Sequence, residues 1–89
     1  MATANTYVEE DLYWLSRAIY SESGNQPMKG RIAVGTVILN RVADEAFPDT
    51  IQEVIFAPGQ FSPVANGTIY RTPDEKSVIA AKLCLDGVR

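Results

Sequence analysis

Eight consecutive residues, Ile32-Ala33-Val34-Gly35-Thr36-Val37-Ile38-Leu39, carry no charge and would place apolar side chains nearly all the way round a helix. A helix of that kind is stable only where other elements enclose it. In a chain of 89 residues only one helix can be central, and the segment from about Met28 to Ala43 is the candidate. Gly30 and Gly35 weaken a helix, so close approach by a neighbouring element is the expected compensation. Asn40 and Arg41 return the segment to a polar setting. One small, mainly helical domain over residues 1–89 follows, with residues 1–7 expected to be a flexible N-terminal segment.

Three further helices can be placed around it. The first runs from about Val8 to Ser21, with Glu9, Glu10 and Asp11 at the positive end of its dipole. Gly24 and Asn25 turn the chain, and Pro27 suits an early position of the central helix. Thr50-Ile51-Gln52-Glu53 has the form of a capping box opening a short helix through about Phe56, which Pro58 and Gly59 stop. Gln60 to Val64 reads as extended, and Asn66-Gly67 as a hairpin turn before Thr68-Ile69-Tyr70. Pro63 limits any sheet here to a short edge ribbon. In Thr72-Pro73-Asp74-Glu75, Thr72 is the expected N-cap of a last helix that runs to Asp86 and stops at Gly87. The predicted fold class is α+β, predominantly helical, with about four helices and a short β-hairpin.

Composition narrows the chemistry. With no histidine, Ser-His-Asp and Cys-His nucleophiles lose their base, and catalytic zinc loses its usual ligand. No spacing suggests another metal site, and no cofactor is expected. Cys84 has no partner for a disulfide and falls in an apolar helical run, which reads as a buried thiol. The net charge of −3, with acids and bases interspersed, argues against nucleic acid as the main partner. No apolar run approaches the ~20 residues of a membrane span. The first residues lack the basic and apolar regions of a secretory signal. Carboxylate chemistry survives these exclusions.

Glu22 is the carboxylate of interest. Val8, Leu12, Leu15 and Ile19 recur on one helix face, and Glu22 is the next position on it. Burial beside the negative end of a helix would push its carboxyl pKa upward and make it a proton donor near neutral pH. The alternative is a Glu that reaches solvent or pairs with Arg17 or Arg41, and on periodicity alone that is the commoner outcome. A carboxyl at a helix end, facing an extended Gln60-Phe61-Ser62 segment across a cleft, is a workable layout for cutting glycosidic bonds.

These residues also resemble a family. Tyr13-Trp14-Leu15 through Ile19-Tyr20-Ser21-Glu22, then Ala33 to Val42, is similar to the spore cortex-lytic type of bacterial cell-wall hydrolase. Phe47-Pro48-Asp49-Thr50, Val54-Ile55-Phe56, Gly59-Gln60-Phe61-Ser62-Pro63-Val64, Ala80-Ala81 and Asp86-Gly87 continue the match in order and spacing. The resemblance implies a lysozyme-like domain that cleaves the glycan strands of peptidoglycan, outside the cytoplasm, in the cell wall or spore cortex. It implies lytic transglycosylase chemistry in which one Glu acts as acid and then as base, and Glu22 matches that glutamate. Gln60, Phe61, Ser62 and Tyr70 are the expected sugar contacts.

Two departures from the family pattern stand out. Gln26 replaces a second acid, which a single-acid mechanism tolerates better than a two-carboxylate hydrolase. The family's domain also continues past the Asp-Gly, so its C-terminal part is expected to be missing here, and a homo-oligomer is one way to cover an incomplete core. Two alternatives stay open: a non-catalytic peptidoglycan-binding or regulatory module, and a muramidase that uses water with Asp49 or Glu53 as second acid. Trp14 is expected to pack against the hairpin.

Overall fold

The computed structural model describes residues 8–58 and 66–88. Among the described residues, four α-helices succeed one another: α1 (Glu9–Ser23), α2 (Met28–Val42), α3 (Ile51–Phe56) and α4 (Glu75–Leu85), with a 3-10 turn, Thr68–Tyr70, between α3 and α4. The order of these helices, and their number among the described residues, match the expectation from sequence. The three long helices pack on one another, and α3 closes the bundle against α1 and α2. Leu15, Ala18, Ile19, Ile38, Ile51, Val54, Ile55, Ile69, Ala80, Ala81 and Cys84 form the core. Each fully buried Leu or Ile among them stabilises the fold by about 1.5–3 kcal/mol.

Local signals account for several helix ends. The Thr50 side chain accepts from the Glu53 N–H at 3.1 Å and donates to Glu53 Oε1 at 2.8 Å, so Thr50 caps α3 and Glu53 folds back onto the cap through its hydroxyl. At the end of α4, Gly87 (φ +97°) donates to the Cys84 carbonyl and Val88 to that of Leu83, a Schellman stop. The N-cap of α4 is a correction. Asp74, not Thr72, holds the position, accepting from the Ser77 N–H at 2.9 Å, and Pro73 lies outside the helix. Either residue can cap a helix; the carboxylate wins because it also meets a buried arginine.

Gly35 marks the expected close approach. A Cβ there would lie 2.6 Å from the Cys84 sulfur and 3.1 Å from Ile19 Cδ1, so α4 and α1 press on α2 at that point. Gly30 does not serve the same purpose, since its Cβ would meet only the Gln26 side chain in the preceding turn. Cys84 is buried, as expected, and its thiol lies 3.5 Å from the Ile32 carbonyl.

The central helix is less enclosed than its composition suggests. Only Arg31, Gly35 and Ile38 of α2 are buried, and Val37 is 46% exposed. Lys29, Ile32, Ala33, Thr36 and Val88 line an open apolar depression on its outer side. Three helices packed mutually leave each with an outward face.

The hairpin is also corrected. Its first strand, with Gln60, Phe61 and Ser62, lies outside the described residues, as does the N-terminal segment 1–7. Thr68–Tyr70, the intended second strand, is a 3-10 turn instead. Gly67 enters it at φ +80°, and Asn66 Oδ1 accepts from the Thr68 N–H at 3.0 Å and hydroxyl at 2.8 Å. Burying Ile69 completely in the core wins over pairing three residues as a strand. Trp14 packs where the hairpin was expected: edge-on to Phe56 at 4.9 Å and to Tyr70 at 6.3 Å.

Candidate active site

The end of α1 determines where Glu22 points. The buried residues of α1 are Leu15, Ser16, Ala18, Ile19 and Ser23. Ser23, four positions after Ile19, continues the core face, and its hydroxyl donates to the Ile19 carbonyl at 2.7 Å. A small, internally satisfied serine fits that crowded position better than a carboxylate does. Glu22 is displaced to the edge and is exposed. The burial expected from the apolar stripe is therefore absent.

The expected ion pairs do not hold Glu22 either. The Arg17 guanidinium lies over the Tyr13 ring at 3.6 Å, and that of Arg41 faces the Phe47 ring at 5.5 Å. No hydrogen bond or ion pair reaches the Glu22 carboxylate from the described residues. What surrounds it is a polar cleft of about 460 Å³, lined by Tyr20, Ser21, Glu22, Gly24, Asn25, Thr68 and Arg71.

Two chain segments make this cleft, and both are shaped locally. Gly24 caps α1 so tightly that a Cβ would lie 2.6 Å from the Tyr20 carbonyl oxygen, and the helix ends at Ser23, one residue after Glu22. The opposite wall is the 3-10 turn and Arg71. The Ser21 hydroxyl joins the walls, shared between the Arg17 carbonyl at 2.7 Å and the Thr68 carbonyl at 3.2 Å. Glu22 and Arg71 thus face one polar cavity with opposite charges and no ion pair between them. Such a cavity suits a neutral or anionic polyhydroxylated ligand.

Of the residues singled out from sequence, Glu22 lines the cleft. Tyr70 does not: it is 61% exposed, and its ring leans on Trp14 and Phe56. Gln60, Phe61 and Ser62 lie outside the described residues. Tyr20, Ser21 and Asn25 could have been found by their nearness to Glu22 in sequence. Thr68 and Arg71 carry no local signal, because only folding brings them opposite Glu22. Among the described residues, no group of three His, Cys, Asp or Glu side chains is arranged to hold a metal ion.

Arg31 was also missed, although it had a signal. Arg31, Gly35 and Ile38 share one face of α2 at helical spacing, which puts a charge on the buried stripe. Arg31 is 4% exposed and pairs with Asp74 at 2.9 Å. The Ser77 hydroxyl holds the Asp74 carboxyl below its ordinary 3.8; partial burial opposes this, and the Ser77 N–H and the Arg31 guanidinium add to the lowering. A lowered folded-state pKa contributes stability that is fully present above the unfolded value and is lost as pH falls through the folded one. The melting-temperature gap between the parent and Asp74→Asn is therefore expected to be constant near neutral pH and to shrink below pH 3.8. A gap that persists undiminished into strong acid would refute this.

A family model described as Cell Wall Hydrolase matches residues 25–89, starting just after Glu22. The chain is 44% identical over 84 residues to a spore cortex-lytic enzyme of Bacillus cereus, covering 94% of this chain and 31% of that protein. It is 42% identical over 81 residues to the spore cortex-lytic enzyme of Halalkalibacterium halodurans, covering 91% of this chain and 24% of that protein. The chain thus spans about a third or less of the length of these relatives. Among solved structures, the catalytic domain of the Bacillus cereus SleB protein superposes with a TM-score of 0.84 at 42% identity, over 93% of this chain and 65% of that one. The catalytic domain of the germination-specific lytic transglycosylase SleB from Bacillus anthracis gives 0.83 at 42% identity, over 93% and 68%.

Proposed function

The chain belongs to the cell wall hydrolase family, and on that premise we propose that it cleaves the glycan strands of peptidoglycan, with Glu22 as general acid and then base. Three observations support this reading. Glu22 lines a sugar-sized polar cleft, no protein group among the described residues occupies its carboxylate, and the fold is that of a catalytic domain from a germination-specific lytic transglycosylase. The first of these carries most weight, because an acid that must reach a glycosidic oxygen has to be accessible.

In this mechanism a glycan seated in the cleft brings its glycosidic oxygen within hydrogen-bond reach of the Glu22 carboxyl. The proton passes to the glycosidic oxygen as the bond to the anomeric carbon breaks. The muramic acid's own 6-hydroxyl attacks that carbon and returns its proton to the Glu22 carboxylate. The product is a 1,6-anhydro sugar, no water is consumed, and Glu22 ends in its starting state. Ser21, Asn25 and Thr68 offer hydrogen bonds to hydroxyl and N-acetyl groups, and Arg71 offers a cation to a muramyl carboxylate. Gln60, Phe61 and Ser62 are assigned further sugar contacts, on the family resemblance. The site of action is extracytoplasmic; among the described residues no helix is long and apolar enough to cross a membrane.

A muramidase would need a second carboxylate near the first. Asp49 and Glu53 do not line the cleft, and Glu53 is engaged by the Thr50 hydroxyl at 2.8 Å. Transglycosylation is therefore the preferred reading. Mass spectrometry of a peptidoglycan digest tests it: the new ends should be anhydro sugars, lighter by one water than reducing ends. Reducing ends would establish hydrolysis instead, and an undigested substrate would leave a glycan-binding module.

A further inference from the structure

We propose that Arg31 is a positioning residue, a buried guanidinium that ties the turn carrying Glu22 to the start of α4 and holds the two cleft walls in register. The proposal rests on the reading of Glu22 as the acid–base group.

Every nitrogen of the guanidinium is used. Nε donates to the Gln26 carbonyl at 2.9 Å, and Nη2 donates to the Gly24 carbonyl. Nη1 donates to both Asp74 oxygens, at 2.9 and 3.0 Å, and to the Ser77 hydroxyl at 3.1 Å. The first two partners follow directly on α1, where helix ends leave carbonyls without intrahelical donors. The other two begin α4, just after Thr68–Arg71. Arg31 therefore joins the turn after α1 to the start of α4, and Ser21 joins α1 itself to the 3-10 turn that precedes α4, through the Thr68 carbonyl.

This arrangement does more than stabilise a loop. Glu22 is exposed, and among the described residues no hydrogen bond or ion pair fixes its carboxyl, so its aim depends on the last turn of α1. That turn is set by where the Gly24 and Gln26 carbonyls are held. A planar fork with donors in three directions can bind both carbonyls and the α4 cap together, whereas a single ammonium cannot. Misplacing a catalytic group by about 1 Å costs on the order of 100-fold in rate.

The test measures kcat and KM for peptidoglycan digestion by the 89-residue chain carrying Arg31→Lys, Arg31→Gln or Asp74→Asn, with thermal melts to confirm folding at the assay temperature. The Arg31 variants should lower kcat about 10- to 100-fold while KM moves by less than about threefold. Asp74→Asn should act in the same direction, and it keeps a good N-cap residue, so it carries the test if an Arg31 variant fails to fold. Combining Arg31→Gln with Asp74→Asn should be no worse than Arg31→Gln alone, because both break one clamp. Folded variants with parental kcat and only a lowered melting temperature would overturn the proposal. Failure of the Glu22 reading is distinguishable: the parent would not digest the substrate, or Glu22→Gln would digest it normally, and the clamp's catalytic role would fall with it.

Discussion

Glu22→Gln is expected to lose glycan cleavage by about 100- to 10,000-fold while melting at the parental temperature. The rate estimate follows from removing general acid–base catalysis, with the amide keeping the size of the carboxyl but giving up its exchangeable role. The absence of a stability effect follows from exposure, since surface substitutions without partners usually change stability by less than about 0.5 kcal/mol. The combination is diagnostic. A residue important only for folding would lower the melting temperature, and a residue important only for binding would raise KM with kcat unchanged. Parental digestion by Glu22→Gln would remove the residue from the chemistry, and with it the proposed mechanism. Because Glu22 lies exposed on the cleft, the glycan itself must close over it, so short glycans that leave the cleft partly open should be cut poorly.

Gly35→Ala is the second large effect, and it acts on stability. In most helix interiors this exchange helps by about 0.5–1 kcal/mol. Here the new methyl would sit 2.6 Å from the Cys84 sulfur, closer than such contacts occur, with Ile19 Cδ1 at 3.1 Å on its other side. Overpacking of that kind costs about 1–3 kcal/mol, which outweighs the propensity gain. A net loss of about 1–2 kcal/mol lowers the melting temperature of a domain this size by roughly 4–8 °C per kcal/mol. Gly35→Val, with two further methyls at the α1–α2–α4 junction, should give no cooperative melt. The cause can be isolated by adding Cys84→Ala, which removes the obstructing sulfur: the double variant should be less destabilised than the sum of the singles, by about 0.5–3 kcal/mol. Simple additivity, or a Gly35→Ala protein that melts higher than the parent, would refute the close-approach explanation.

How far the sequence could be read depended on whether a feature was local. The Thr50–Glu53 cap, the stop at Gly87, the buried Cys84 and the tight place at Gly35 each follow from a few neighbouring residues, and each is present. The apolar stripe of α1 misled at its last step. A period of 3.6 residues allows the core face to continue from Ile19 to either Glu22 or Ser23, and only the packing chooses between them. Applied to α2, the same rule would have found Arg31, an equally anomalous charge on a buried face.

What the residues alone determined is the helical order, the ends of most helices and the family, because capping groups, turn glycines and apolar spacing act within a few positions of one another. What only the folded chain decided is the cleft. Arg71 and Thr68 reach Glu22 from a distant stretch, Ile69 turns a would-be strand into a 3-10 turn, and Asp74 caps α4 while holding Arg31. These outcomes depend on which side chains compete for the same buried space, and that competition exists only after the helices have met.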